Sequence, residues 1–240
     1  MWIINLARKL YNLGLNLLFP INCLGCGKEG FLICPDCLVK IPLYDKFICP
    51  ACQRPSLYGK SCPTCRSHLK GIVIALDYHE PIIKKTIQSF KYQPYIFGLA
   101  QYFAHLIIKC LKQSPYHFNY FRENNFILIP IPLAKRKLAE RGFNQTELIA
   151  EVIAKELDWP LETKILFKIK ETLSQTNFSK EERKNNVKNT FLVKDTTWIK
   201  NKNILLVDDI FTTGATLEEA AKILRQAGAK EVWGIVLAKG

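Results

Sequence analysis

Eight of the nine cysteines stand in four CxxC pairs, Cys23/Cys26, Cys34/Cys37, Cys49/Cys52 and Cys62/Cys65, all inside one short segment. No other feature restricts the fold as much. A two-residue gap lets both thiolates of a pair face one tetrahedral ion, which takes four ligands at about 2.3 Å. Two four-cysteine sites follow. Sequential pairing puts Cys23, Cys26, Cys34 and Cys37 on one ion and Cys49, Cys52, Cys62 and Cys65 on the other; a cross-braced pairing fits the spacing equally. A disulfide framework would show less regular spacings behind a secretory signal, and four redox pairs crowded together suit redox chemistry poorly. Zinc is therefore the expected ion, in a reducing, cytoplasmic compartment. Residues 20–69 are read as a double zinc ribbon. So short a segment builds little core, and metal supplies about 10 kcal/mol or more of folding energy per site. Cys110 lies in an apolar helical stretch and reads as a small buried hydrophobe.

The flanks differ in texture. In residues 1–19, Ile3, Leu6, Leu10, Leu13 and Leu17 recur at helical spacing opposite Asn5, Arg8, Lys9, Asn12 and Asn16. That is an amphipathic helix, read as packing against the body of the protein with a membrane surface as the alternative, and no run of about 18 apolar residues offers a membrane span. Residues 70–240 alternate strands and helices, which implies an α/β fold with a mostly parallel sheet covered on both faces. Strands are expected over 71–78, 126–131, 161–167, 190–193, 203–207 and 231–237. Helices are expected over 82–92, 95–112, 144–157 and 216–227. The aromatic piece "SPYHFNYFRENN" reads as a surface connection, and "KIKETLSQTNFSKEERKNN" as a mobile excursion. His68, His79, His105 and His117 show no catalytic spacing and read as structural. With 34 Lys and Arg against 21 Asp and Glu, the net charge of +13 favours an anionic partner: a phosphorylated small molecule, nucleic acid or acidic lipid.

The stretch "ILLVDDIFTTGAT" narrows that choice. Two adjacent carboxylates, Asp208 and Asp209, are expected just past a strand's C-terminal end, where parallel sheets collect ligands. The loop Thr212-Thr213-Gly214-Ala215-Thr216 then runs into a helix whose first amides have no intrahelical partners and carry the positive end of the dipole. A phosphate fits that cup, with glycine allowing close backbone approach. The carboxylates lie where a ribose diol can donate to them, with Mg²⁺ bridging the neighbourhood. An acidic turn followed by a Thr N-cap is the plainer alternative.

"LLVDDIFTTGAT" resembles the 5-phosphoribosyl-1-pyrophosphate (PRPP) motif of type I phosphoribosyltransferases. The upstream cysteine pairs and "IPIPLAKRKLAERGFNQ" make the chain similar to the ComF/GntX family of ComFC-like competence proteins, over nearly its whole length. The resemblance implies a type I phosphoribosyltransferase-like sheet with flanking helices behind a zinc-ribbon module. By the same resemblance Asp208 and Asp209 bind the ribose, and Thr212 to Thr216 the 5-phosphate. Lys135, Arg136 and Arg141 take the pyrophosphate, near Lys137, Asn144 and Gln145, and a flexible loop carries Lys170, Thr172, Gln175 and Arg183. The implied chemistry is displacement of pyrophosphate from PRPP by a nitrogen nucleophile. Hypoxanthine-guanine transferases place an Asp base where this chain has Thr212. A hood over the acceptor is expected from the N-terminal half. The rival class is a single-stranded-DNA-binding protein that uses the PRPP site as sensor or scaffold. Lys84, Lys85, Lys91, Tyr92 and Tyr95, or Tyr116, Phe118, Tyr120, Phe121 and Arg122, interleave charge and rings for it. Family knowledge ties ComF relatives to DNA uptake in natural transformation, alongside other competence-machinery proteins.

Overall fold

The computed structural model describes residues 21–93, 95–169 and 189–240. The helix expected over 1–19, and Lys170, Thr172, Gln175 and Arg183 of the expected loop, lie outside the described residues. Among those described, no helix is long and apolar enough to cross a membrane.

After the cysteine-rich segment, which carries the short helix α1 (Pro35–Val39), the strands are β1 (Gly71–Asp77), β2 (Ile127–Pro130), β3 (Leu166–Lys168), β4 (Phe191–Val193), β5 (Asn203–Phe211) and β6 (Glu231–Lys239). The helices that follow α1 are α2 (Pro81–Lys91), α3 (Leu99–Gln113), α4 (Pro115–Glu123), α5 (Lys135–Arg141), α6 (Gln145–Leu157), α7 (Thr196–Ile199) and α8 (Ala215–Gln226). Four strands form one sheet in the order β1-β6-β5-β2, with every neighbouring pair parallel. The β3–β4 pair is a separate antiparallel hairpin. Leu161 makes only an isolated bridge to Leu128, so the strand expected over 161–167 shrinks to three residues and does not extend the main sheet.

The central strands are apolar on both faces because both faces are covered. Leu205, Val207, Ile235 and Leu237 pack with α2, α3 and α6; Ile204, Leu206, Val232 and Val236 pack with α8 and the hairpin.

Two expectations change. "SPYHFNYFRENN" is not a surface connection. Its residues from Pro115 to Glu123 form α4, which starts with Pro in the first turn and buries His117 and Phe121 four residues apart. Phe121 meets the Trp233 ring edge-on with centroids 5.4 Å apart. The strand expected to stop at Val207 runs on to Phe211, so Asp208 and Asp209 lie inside β5 rather than beyond it. The β5–β6 ladder extends to Phe211↔Lys239, whereas the β2–β5 ladder stops at Pro130↔Val207. Pro130 and Pro132 carry no N–H to continue it, so one edge of β5 opens at the two aspartates.

Phe121→Ala should cost about 3–5 kcal/mol of unfolding free energy in a denaturant titration. The exposed Glu123→Ala should stay within about 0.5 kcal/mol.

Candidate functional site

At the C-terminal end of β5 the chain turns through Thr212 and Thr213 into α8. Gly214 takes φ 79° and is the N-cap residue, and no side chain caps the helix. The Thr N-cap of the plainer alternative is therefore absent; Thr213 Oγ1 accepts only a long bond, 3.4 Å, from the Ala215 amide. A Cβ on Gly214 would sit 2.8 Å from the Phe211 ring and 2.9 Å from the Pro50 carbonyl oxygen, so glycine is required here by space as well as by φ. Asp208, Thr212, Thr213, Gly214, Ala215, Thr216 and Leu217 line a small pocket of about 30 Å³ in front of the uncapped helix start.

The adjacent carboxylates have different surroundings. Burial works to raise Asp209, but Lys91 Nζ at 2.8 Å and Gln145 Nε2 at 2.9 Å outweigh it and hold the carboxyl below its usual range. Gln145 in turn accepts from Arg141 Nη1, so a chain of contacts runs from Arg141 through Gln145 and Asp209 to Lys91. Asp208 has the Asp209 amide at 2.9 Å. Burial and the neighbouring Asp209 charge push it up to about 7, against the pull of Lys91 and Lys168. Lys168, at the end of β3, is itself held below the usual lysine range by burial.

The basic segment is not a turn. Lys135 to Arg141 form α5, closed by Gly142 at φ 80°. Lys135 and Arg136 line a cavity of about 610 Å³ together with Lys168, Lys194 and Phe167. Arg136 is largely exposed and pairs with Glu140 at 2.8 Å. Arg141 faces Gln145 instead, so the structure divides the three expected pyrophosphate residues between two places. Asn144 does not cap α6 with its side chain; it donates to the Ile131 carbonyl at 3.2 Å and accepts from Thr146 Oγ1 at 2.8 Å.

The cysteines resolve the pairing. Cys23, Cys26, Cys34 and Cys37 bring their sulfurs within 4.8 Å of one another, as do Cys49, Cys52, Cys62 and Cys65. The order is sequential, not cross-braced. A tetrahedral zinc with bonds of about 2.3 Å needs sulfur–sulfur edges of about 3.8 Å. Cys49–Cys62 and Cys52–Cys62 measure 3.8 Å and Cys26–Cys34 3.5 Å, whereas Cys62–Cys65 is shorter, at 2.9 Å, and must open to accept the ion. Burial opposes ionisation of Cys23, but the amides of Cys26, Cys34 and Gly25 bring it down to about 6. Hydrogen bonding to Cys34 and Cys26 pushes Cys37 up to about 12. Thiolates this crowded suit a shared dication, and the donor set fits two structural zinc ions.

Lys91, Gln53, Lys168 and Glu218 were not legible as site residues. Lys91 and Gln53 reach the site from far along the chain, and Gln53 lies 159 residues from Thr212. Of the expected DNA-contacting residues, Lys91 is committed to Asp209 and Phe121 to the core. Of the histidines, His117 is buried between Ser114 Oγ and the Tyr58 carbonyl, in keeping with a structural role.

A family profile described as phosphoribosyl transferase domain matches residues 146–240, and one described as double zinc ribbon domain matches residues 14–67. The chain is 30% identical to competence protein F of Haemophilus influenzae (strain ATCC 51907 / DSM 11121 / KW20 / Rd), over 92% of this chain and 98% of that protein. It is 28% identical to competence protein ComFC of Bacillus subtilis (strain 168), over 82% and 79% of the two chains. It is 26% identical to the DNA utilization protein YhgH of Escherichia coli (strain K12), over 79% and 83%.

The raised Asp208 sets the sign of a pH effect. Its folded pKa lies above the unfolded value of about 3.9, so its contribution is fully present below that value and lost as pH rises through about 7. Melting temperatures from pH 4 to 8 should show Asp208→Asn gaining on wild type between about pH 4 and pH 7, then running parallel above. A constant gap would contradict the assignment.

Proposed function

This chain belongs to the family of competence proteins F and ComFC, and we propose that within it the protein binds PRPP together with Mg²⁺. The observation that carries this reading is the uncapped, glycine-opened start of α8 set beside two buried carboxylates in the same strand. The 5-phosphate takes the amides of the Thr212–Thr216 loop, and the Thr hydroxyls close over it. Asp208 and Asp209 accept from the ribose hydroxyls, and Asp209 exchanges part of its bonding to Lys91 and Gln145 for the sugar. A diphosphate lying towards α5 meets Lys135 and Arg136, with Lys168 on the same wall, while Arg141 acts through Gln145. Mg²⁺ supplies charge neutralisation for the diphosphate, and the two aspartates are the hard oxygen ligands on hand. Such a site suits displacement of pyrophosphate from the anomeric carbon by a nitrogen nucleophile; holding the leaving group and stabilising a cationic ring requires no protein nucleophile. Thiolate ligands suit a reducing compartment such as the cytoplasm.

Single-stranded DNA binding has its own supporting observation. Lys60, Arg66, Lys70, Arg225 and Lys230 line a groove of about 590 Å³ at the opposite end of the sheet. Its one carboxylate, Glu231, is already engaged by the Tyr120 hydroxyl at 2.8 Å. Beside it Tyr58 stacks on Tyr116 at 4.1 Å, with Lys60 Nζ 5.0 Å over the Tyr116 ring. Charge beside stacked rings is the chemistry of a single-strand track. It accords with a role in DNA uptake, where other competence proteins are the expected partners.

Calorimetric titration of PRPP with Mg²⁺ should give binding to wild type and a loss of at least about tenfold in Asp208→Asn/Asp209→Asn, the scale of lost charge-assisted hydrogen bonds. Equal affinity would remove the carboxylates from the site. For the groove, anisotropy titrations of labelled oligo-dT across salt should give a negative slope. Lys70→Glu/Lys230→Glu should flatten it by about 0.7 for each phosphate the groove no longer neutralises, and an unchanged slope would clear the groove of that role.

A further inference from the structure

The second zinc ribbon touches the phosphate loop on both of its flanks. Gln53 Nε2 donates to the Thr212 carbonyl at 2.8 Å. The Pro50 carbonyl lies against Gly214. On the far side of the loop, Glu218 in the first turn of α8 accepts from Ser67 Oγ at 2.6 Å and from the His68 amide at 2.8 Å. All four ribbon residues lie beside the Cys49, Cys52, Cys62 and Cys65 cluster.

We infer that Gln53 is a positioning residue for the phosphate loop, and that the metal held by Cys49, Cys52, Cys62 and Cys65 sets its geometry. The inference rests on the phosphate reading of the α8 start given above. A trans peptide is planar with its C=O and N–H opposed. Pinning the Thr212 oxygen onto the ribbon therefore turns the Thr213 N–H away from the ribbon, as a donor for an anion. Gln53 holds its own position only while the knuckle is closed. It follows the ligand Cys52, takes φ 60°, a conformation that non-glycine residues rarely adopt, and donates its amide to the Cys49 carbonyl at 2.9 Å. A ribbon that takes its folding energy from metal loses this geometry with the ion, and the Thr212 carbonyl then loses its donor. Coupling of this kind is reciprocal: an anion in the loop must tighten the second zinc site by the factor by which that site tightens the anion.

The test uses the full chain loaded with two zinc ions and ribose 5-phosphate as probe. Chelator-driven zinc release is followed by absorbance, and the phases are assigned with Cys26→Ser and Cys62→Ser. One neutral hydrogen bond is worth about 1 kcal/mol, or about fivefold. Ribose 5-phosphate should slow release from the Cys49 cluster by about that factor and leave the Cys23 cluster unaffected. Gln53→Met keeps the length of the side chain and removes the donor. It should retain two zinc ions, weaken ribose 5-phosphate about fivefold and abolish the slowing. If wild type binds the sugar phosphate but zinc release does not change, or Gln53→Met binds as wild type does, the coupling is overturned while the phosphate site stands. If wild type does not bind ribose 5-phosphate, the phosphate reading itself falls, and the coupling with it.

Discussion

The Lys91–Asp209 ion pair is the contact that allows two adjacent carboxylates to be buried inside a sheet strand. Removing one charged carboxylate from water costs several kcal/mol, and a second beside it adds repulsion. Lys91, at the end of α2, and Gln145, at the start of α6, converge on Asp209, whereas among the described residues no ion pair forms on Asp208. The helices on that face of the sheet are thereby tied to the strand end, because α2 and α6 each deliver one group to the same carboxylate. Asp208 carries the remaining imbalance, and a ligand that brings hydroxyl donors or a cation relieves it. A buried carboxylate with a raised pKa beside an uncapped helix start is the kind of arrangement that marks a candidate binding site.

Much of this was legible locally. The apolar run Ile204–Val207 and Gly214 carry their own physical signatures, and regular CxxC spacing implies two four-cysteine sites while leaving their pairing open. The errors share one cause. Asp208 and Asp209 look like the end of a strand because they break its apolar pattern, yet they remain in register with β6 through compensation from Lys91, a distant residue. The segment Pro115–Glu123 looks like a loop because of its Pro, Asn and Tyr content, yet Trp233 gives its buried side chains somewhere to pack. No element was expected over Lys135–Arg141, although Arg136 and Glu140 at helical spacing are the local sign of α5. Wherever tertiary partners outvoted local pattern, the sequence alone misled.

The two ribbons differ in what they contact. Around the first, Gly25 lies close to Ile82 of α2, and Leu32 packs near Gly98 ahead of α3, so that ribbon adds apolar cover to one helical face. The second makes polar contacts with the loop and first turn that follow β5. Apolar packing tolerates small displacements, because dispersion and burial are non-directional. Hydrogen bonds to a carbonyl and a carboxylate fix direction as well as distance. Among the described residues, the second cluster is therefore the one whose contacts hold a loop in one orientation.

The sheet also separates the two anion environments. The phosphate loop and aspartates lie at the C-terminal end of β5, whereas Lys70, Lys230 and Glu231 of the basic groove mark the N-terminal ends of β1 and β6. The sugar phosphate and the phosphodiester strand proposed above would therefore take different surfaces. What the two places share is the second ribbon. Ser67 and His68 line the groove, and the same two residues donate to Glu218 beside the phosphate loop. The second ribbon thus contacts both the basic groove and the first turn of α8. That position explains why a module with so little core is kept against the end of a sheet that is already well packed.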